Sequence, residues 1–261
     1  MKAISWLFDR DVSEILLRSG EHLVLVGIAM VVAIAIGIPL GIVITRYPKL
    51  ASPILGVANA LQTIPSLAIF GFLISVPFLG GIGKNPAIVA LTLYALLPLI
   101  RNTYIGITSV DPAIREAGKG MGMTDWQLLT QVEIPLASSM ILAGIRVATA
   151  ISVGVATIAA AIGGGGLGVF IFRGLATVDN RLILTGAIPA AAIALGLDLG
   201  LGWVETRLRQ QPIRLDKFDR KFAIIGGILA LLAVGLIGVN YLQTPQIITI
   251  GSKNFTEQII L

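Results

Sequence analysis

The chain of 261 residues contains no cysteine, a single histidine and few charged residues, which make up 13% of the sequence. Without cysteine there can be no disulfide framework, thiolate nucleophile or zinc–thiolate site. A soluble domain usually carries charge on about a quarter of its residues. Here the charges are both scarce and segregated, with long stretches that carry none. This pattern is typical of a chain whose solvent is lipid.

Apolar residues and glycine take the place of the missing charges. Hydrophobic residues make up 56% of the chain, and there are 30 glycines. Closely packed transmembrane helices use small residues where their backbones touch, so the glycine surplus favours a membrane bundle. The formal net charge is +5, but the basic residues lie in the segments between apolar runs. They are therefore interpreted as topology determinants, and no nucleic-acid partner is expected.

Six apolar runs are long enough to cross a bilayer, since about 20 helical residues span the hydrocarbon core. The second run is interrupted by Pro65 and broken near Pro77. The predicted spans are Leu23 to Thr45, Pro53 to Phe78, Ala87 to Ile107, Ala137 to Ile162, Leu182 to Val204 and Phe222 to Tyr241. The fold class is therefore an all-α integral membrane protein.

The basic residues between the runs predict the orientation. Ten lysines and arginines follow spans one, three and five, against six on the opposite side. Because positive loops stay in the cytoplasm, both the N-terminus and the segment after Tyr241 are predicted to be outside.

Both ends of the chain differ from the spans. Residues 1–21 place Ile4, Leu7, Val12, Ile15 and Leu16 on one face, which predicts a short amphipathic helix at the interface. Gln246 to Ile250 has the composition of a strand that follows the breaker Pro245. Since a strand leading into a helix begins many α/β domains, we expect the natural chain to continue outside the membrane.

The polar stretch from Asp111 to Pro135 carries the most informative pattern. It contains Glu116-Ala117-Gly118, then three residues and Gly122, then nine residues and Val132-Glu133-Ile134-Pro135. This resembles the cytoplasmic EAA loop of permeases of ATP-binding-cassette (ABC) importers, with Gly118, Val132 and Ile134 as conservative departures. The resemblance implies that the loop docks on an ATPase. It assigns the coupling role to Glu116, Ala117, Gly118, Gly122, Ile134 and Pro135.

The resemblance extends along nearly the whole chain. Gln62 to Ala68, Ala143 to Arg146, Ile162 to Gly168 and Ile250 to Gln258 are similar to permeases that import glycine betaine, choline, carnitine and related quaternary amines. This family implies a five-helix type I permease core, paired with a second copy of itself and with two ATPase subunits. It also implies an extracytoplasmic substrate-binding domain, fused here behind an extra helix, in the bacterial cytoplasmic membrane. No cofactor is expected in this chain, because ATP and Mg would be used by the partner ATPase.

These inferences divide the chain into five parts. They are an interfacial segment (1–21), the permease domain (22–210) with its coupling loop (111–135), a basic cytoplasmic linker (211–221), an anchoring helix (222–242) and the start of a truncated binding domain (243–261).

Polar residues within the spans are candidates for the translocation pathway. Pro65 frees a carbonyl inside span two, where nearby hydroxyls or water must satisfy it. A kinked, polar span suits either a pore or simple packing. Arg146 and Asp198 lie at similar depths and could form a structural ion pair or contribute to the pathway. The candidates are Gln62, Thr63, Pro65, Ser66, Arg146 and Asp198.

Three further features receive simpler interpretations. His22 is expected to be interfacial rather than a metal ligand. Gly163, Gly165 and Gly168 match G-x-G-x-x-G, but they follow a span rather than a strand, so a glycine-rich helix end is favoured over a dinucleotide site. The pairs Gly37/Gly41 and Gly196/Gly200 are expected to mark close helix contacts.

A secondary transporter or channel driven by an ion gradient is the rival interpretation. It would account for the apolar runs, the kinked span and the glycine-rich break. It would account neither for the spacing in the 111–135 stretch nor for the strand-like tail.

Overall fold

The computed structural model describes residues 12–79 and 81–210, and within these ranges it is helical with no strand. Four helices are long and apolar enough to cross a membrane, or five spans if one bent pair of helices counts as a single span. The all-α membrane architecture predicted from the sequence is confirmed. The predicted span from Phe222 to Tyr241 and the strand-like tail lie outside the described residues.

The described elements run as follows. They are α1 (Val12–Arg46), α2 (Pro48–Thr63), α3 (Ser66–Ile74), a 3-10 turn (Pro77–Leu79), α4 (Lys84–Thr108), α5 (Pro112–Gly120), α6 (Asp125–Leu128), a π-helical turn (Leu129–Glu133), α7 (Ile134–Ile158), a 3-10 turn (Ala159–Ile162), α8 (Gly168–Thr177) and α9 (Asn180–Gln210).

Helix α4 is the centre of the bundle and packs against both α1 and α7. Its alanines are buried against alanines of the neighbouring helices, which lets the backbones approach closely. Gly37 and Gly41 of α1 add to this, because a Cβ at Gly37 would lie 2.8 Å from Leu99 Cβ and one at Gly41 would lie 2.6 Å from Thr103 Cβ. This helix contact predicted from the sequence is confirmed.

The second glycine pair makes no such contact within the described chain. No atom of the described chain lies within 4 Å of a Cβ built on Gly196 or Gly200. Both glycines lie on an outer face of α9, beside exposed residues such as Leu195 and Leu199. The small-xxx-small pattern fixes spacing along one helix but does not determine which face packs.

The first helix runs across the boundary predicted after residue 21. Helix α1 begins at Val12 and continues without a break to Arg46, so residues 12–21 and the first span belong to one helix. Residues 1–11, with Ile4 and Leu7, lie outside the described part. Glu21 is a charged residue that would otherwise favour a helix boundary. The helix can continue through it because its buried carboxylate accepts a hydrogen bond from the neighbouring turn at Gly166.

The second span is more sharply broken than expected. Helices α2 and α3 meet at an angle of 96°. Pro65 cannot donate the backbone hydrogen bond that would continue α2, and Ile64 before it is extended, as residues before proline prefer. Helix α8, which follows the glycine-rich turn, was not predicted at all.

Candidate functional site

The 111–135 loop begins with a capped helix. The side chain of Asp111 accepts a hydrogen bond from the backbone N–H of Ala113 at 2.9 Å, and Pro112 occupies the first turn of α5. Both residues suit a helix start, because an aspartate caps free N–H groups and proline has none to lose. Helix α5 therefore begins at Pro112 and ends at Gly120.

Two glycines shape the loop for different reasons. Gly118 is buried, and a Cβ there would lie 2.7 Å from Leu128 Cδ1, so α5 approaches α6 closely. Gly122 has φ +80° with no atom within 4 Å of a built Cβ. Its constraint is thus the left-handed backbone and not a lack of space. Gly122 therefore serves a turn of the chain and not a close approach between elements.

A short helix and a π-helical turn return the chain to the membrane. Thr124 and Gln127 form a capping box at the start of α6. The π-helical turn from Leu129 to Glu133 follows, and α7 begins at Ile134 with Pro135 in its first turn. Pro135 lies in the first turn of this helix, where its missing N–H costs nothing.

The loop exposes an unusual set of side chains. Glu116 and Ala117 are exposed on α5, and within the described residues the carboxylate of Glu116 has no hydrogen-bond or ion-pair partner. The same loop also exposes large apolar side chains, since Met121 and Trp126 are 73% and 72% exposed and Ile114 is 43% exposed. Ile134 is only half-buried, like Pro135. The loop therefore presents both a charged group and large apolar side chains.

Sequence reasoning missed the most buried charge of this region. Glu133 is fully buried and accepts hydrogen bonds from Arg46 at the end of α1, and its Oε1 lies 3.1 Å from Nε of Arg115 on α5. The signal was an acidic residue between Val132 and Ile134 at a span entrance. Its partners lie 87 and 18 residues away, so the sequence could not identify them.

The break between α2 and α3 borders a cleft of about 390 Å³. It is lined by Gln62, Thr63, Ile64, Pro65, Ser66, Tyr94, Ile151 and Val155. Tyr94 donates a hydrogen bond from its hydroxyl to the carbonyl of Ile64, and Gln62 donates one to the carbonyl of Tyr94 at 3.0 Å. Four of the six pathway candidates thus lie together, with Tyr94 as an unpredicted neighbour.

The other two pathway candidates lie elsewhere, in contact with each other. Arg146 on α7 donates to both carboxylate oxygens of Asp198 on α9, each at 3.0 Å. Its third hydrogen bond goes to Glu205 at 2.8 Å, which the sequence did not indicate. A planar guanidinium suits such two-point recognition of a carboxylate. Neither Arg146 nor Asp198 lines the cleft at the helix break.

The glycine-rich turn packs on the first span. The backbone N–H of Gly166 donates to Glu21 at 2.9 Å, and Arg18 donates to the same carboxylate oxygen at 2.8 Å. His22 beside it is fully buried within the protein, and its place at the membrane interface stays a prediction. The glycines follow a 3-10 turn, as expected of a helix end.

Comparison with known proteins supplies the remaining findings. A family model described as "Binding-protein-dependent transport system inner membrane component" matches residues 37–210. The chain is 48% identical over 214 residues to the "Carnitine transport permease protein OpuCB" of Listeria monocytogenes, covering 82% of this chain and 97% of that protein.

Two further relatives have related names. The "Glycine betaine/carnitine/choline transport system permease protein OpuCB" of Bacillus subtilis (strain 168) is 47% identical, covering 77% of this chain and 91% of that protein. The "Osmoprotectant import permease protein OsmW" of Salmonella typhimurium is 46% identical, covering 74% and 91%.

The fold is also found among solved structures. A chain of the "MetNI methionine ABC transporter" in inward-facing conformations superposes with a TM-score of 0.63 at 23% identity, over 80% of this chain and 99% of that one. At this identity the likeness concerns the fold alone. It matches the five-helix permease core expected from the sequence.

Proposed function

This chain belongs to the family of binding-protein-dependent transport system inner membrane components, and from that membership we propose that it carries small quaternary ammonium solutes into the cell. The single observation that supports this cargo is its 46–48% identity to permeases named for carnitine, glycine betaine, choline or osmoprotectants. Such solutes share a permanently charged trimethylammonium group. The ion-gradient transporter considered above is set aside, because that family consists of importer permeases.

A separate ATPase is proposed to dock on the 111–135 loop. The exposed carboxylate of Glu116 supplies a hydrogen-bond acceptor, and the exposed Ile114, Met121 and Trp126 of the same loop supply an apolar contact. Capped helices on both sides of Gly122 hold this surface in one shape. We assign the coupling role to Glu116, Ala117, Gly118, Gly122, Ile134 and Pro135. ATP and Mg would be bound by two ATPase subunits serving a pair of permeases.

The cleft at the broken second span is proposed as part of the translocation pathway. The extended backbone at Ile64 and Pro65 interrupts the helix, and the cleft is lined there by both residues and by Tyr94. A trimethylammonium group cannot donate hydrogen bonds and is attracted by carbonyl oxygens and aromatic rings. Gln62, Thr63, Pro65 and Ser66 therefore line a suitable surface, whereas Arg146 and Asp198 join α7 to α9 at its side.

The remaining parts of the assignment concern orientation and the flanking segments. Excess basic residues after alternate spans support an extracytoplasmic N-terminus and a cytoplasmic 111–135 loop. The proposed linker (211–221), anchoring helix (222–242) and binding-domain start (243–261) lie outside the described residues. We propose that the fused binding domain delivers the solute from outside.

Uptake measurements test this function. The full transporter, with its ATPase, is expected to accumulate radiolabelled choline, glycine betaine or carnitine in proteoliposomes only when ATP is enclosed on the ATPase side. Collapse of ion gradients with an ionophore should leave uptake unchanged. Uptake that stops with the ionophore, or that needs no ATP, would refute the proposal. Competition for uptake among the three solutes then shows which of them the transporter prefers.

A further inference from the structure

Glu133 joins three helices through one carboxylate that is fully shielded from solvent. It ends the π-helical turn and directly precedes α7, so it belongs to the entrance of the fourth span. Its side chain is 0% exposed. A buried ionised group is costly unless its charge is compensated, so the arginines that surround it determine whether this region can fold.

The two arginines come from different elements. Arg46 is the last residue of α1, and both of its terminal nitrogens donate to the carboxylate, with Nη1 lying 3.4 Å from Oε1. Arg115 lies on α5, with Nε 3.1 Å from Oε1. Arg115 also donates to the backbone carbonyl of Ile107 near the end of α4. The cluster of Arg46, Glu133 and Arg115 thus connects α5 with the cytoplasmic ends of three spans.

The geometry of this cluster favours a role in transmitting movement of α5 to the spans over a role in packing alone. Helix α5 makes few other contacts with the bundle, since it packs on α6 and the π-helical turn. A displacement of α5 would move Arg115. Arg115 would then pull on the carboxylate of Glu133, which also binds Arg46 at the end of α1. π-helical turns are irregular and recur at functional positions, which suits a segment that must adjust.

We propose that Glu133 is a positioning residue that transmits movement of α5 to α1 and α7 through its two arginines. The inference rests on the proposed function, because α5 is the helix assigned to ATPase docking. Loss of the carboxylate should leave the exposed docking surface of Glu116, Met121 and Trp126 unchanged. It should therefore uncouple ATP hydrolysis from transport without releasing the ATPase.

Glu133→Gln tests this in the reconstituted full transporter, because glutamine keeps the shape and removes the charge. We expect normal ATPase co-purification and continuing ATP hydrolysis, with solute transported per ATP reduced about tenfold, the size of a typical coupling mutation. A purely structural role would lower the amount of inserted complex and leave that ratio unchanged. An unchanged ratio in inserted complex would overturn the proposal.

Two further variants complete the test. Glu14→Gln is the matched control, because Glu14 also faces two arginines, Arg18 at 4.0 Å and Arg173 at 3.7 Å, but is 36% exposed. Exposed pairs contribute little, so its transport per ATP should equal that of the wild type. If Glu133→Gln does not insert, the ratio of solute transported per ATP is measured on Arg115→Lys instead. This substitution keeps the charge but cannot reach both Glu133 and the Ile107 carbonyl, and a normal ratio there would refute the proposal.

The wild-type protein separates this inference from the proposed function. If the wild-type complex shows no ATP-dependent uptake of choline, glycine betaine or carnitine, the proposed function fails. If it shows such uptake and both variants transport with the wild-type ratio, only the role of Glu133 fails.

Discussion

At the scale of single residues, Gly122 shows how one backbone angle determines a loop. Its φ of +80° places the turn between α5 and α6 in the left-handed region, and the space around it is open. A side chain there would meet no neighbour. It would nevertheless strain the backbone, by about 1–2 kcal/mol for an ordinary L-residue.

Gly122→Leu is therefore expected to leave the permease inserted but to abolish most uptake, because the strain shifts α5 relative to α6. Gly122→Asn is the matched control, since asparagine tolerates the left-handed region and should retain most uptake. ATPase co-purification together with reconstituted uptake measures the difference. Equal losses in the two variants would indicate that side-chain size, rather than backbone conformation, is the constraint.

A second residue-scale prediction concerns Arg146 and its two acceptors. Arg146→Ala leaves Asp198 and Glu205 without their shared cation, whereas Asp198→Ala leaves Arg146 still paired with Glu205. An ionised side chain on a membrane-spanning helix is costly unless it is paired. We therefore expect Arg146→Ala to reduce the yield of folded permease more than Asp198→Ala does.

The double variant Arg146→Ala/Asp198→Ala should fold better than Arg146→Ala alone, because one of the two unpaired carboxylates is gone. Size-exclusion profiles of the purified variants give the folded fraction. Additive losses would show that the two residues do not act as a pair.

At the scale of elements, the broken second span depends on contacts with α4. The hydroxyl of Tyr94 donates to the carbonyl of Ile64 at the break, and Gln62 donates back to α4. These hydrogen bonds hold the two halves at their angle of 96°. Pro65 permits the break, and the contacts with α4 fix its direction.

Tyr94→Phe is expected to destabilise the permease by about 1 kcal/mol, because the Ile64 carbonyl can turn to water in the open cleft. Uptake should fall by more than this loss of stability explains, since the cleft loses its fixed shape. Tyr104→Phe is the control on the same helix, because the Tyr104 hydroxyl makes no hydrogen bond within the described residues. Thermal unfolding and uptake of both variants check this, and equal effects would contradict it.

Elements were predicted well where hydropathy alone decides them. The first, third, fourth and fifth spans appear as α1, α4, α7 and α9 with ends displaced by several residues. Helix α8 was missed because its ten residues are too short to form a hydropathic span. The continuity of α1 through residue 21 was not predicted, because the partner of Glu21 is Gly166, which is 145 residues away.

At the scale of the whole molecule, the orientation in the membrane remains a prediction. The native chain has no cysteine, so single cysteines report their side cleanly. Gly20→Cys should react with an impermeant maleimide in intact cells, whereas Lys119→Cys should react only after the membrane is opened. Both sites are exposed, and Lys119 is preferred to Thr124 because the Thr124 hydroxyl caps α6. Labelling of Lys119→Cys in intact cells would show that the orientation is the reverse of the predicted one.

The sequence alone determined the membrane bundle, the place of its spans and the loop that resembles a docking site, because hydropathy and motif spacing are local along the chain. It also placed an interruption at Pro65, and it put Arg146 and Asp198 at similar depths, where an ion pair was one of two interpretations, since helical rise gives depth directly. Only the tertiary structure decided that Glu133 meets Arg46 and Arg115, that Tyr94 holds the break, and that Glu205 joins Arg146. These contacts depend on which faces of distant helices meet, and that is determined by packing of the whole bundle rather than by any local pattern.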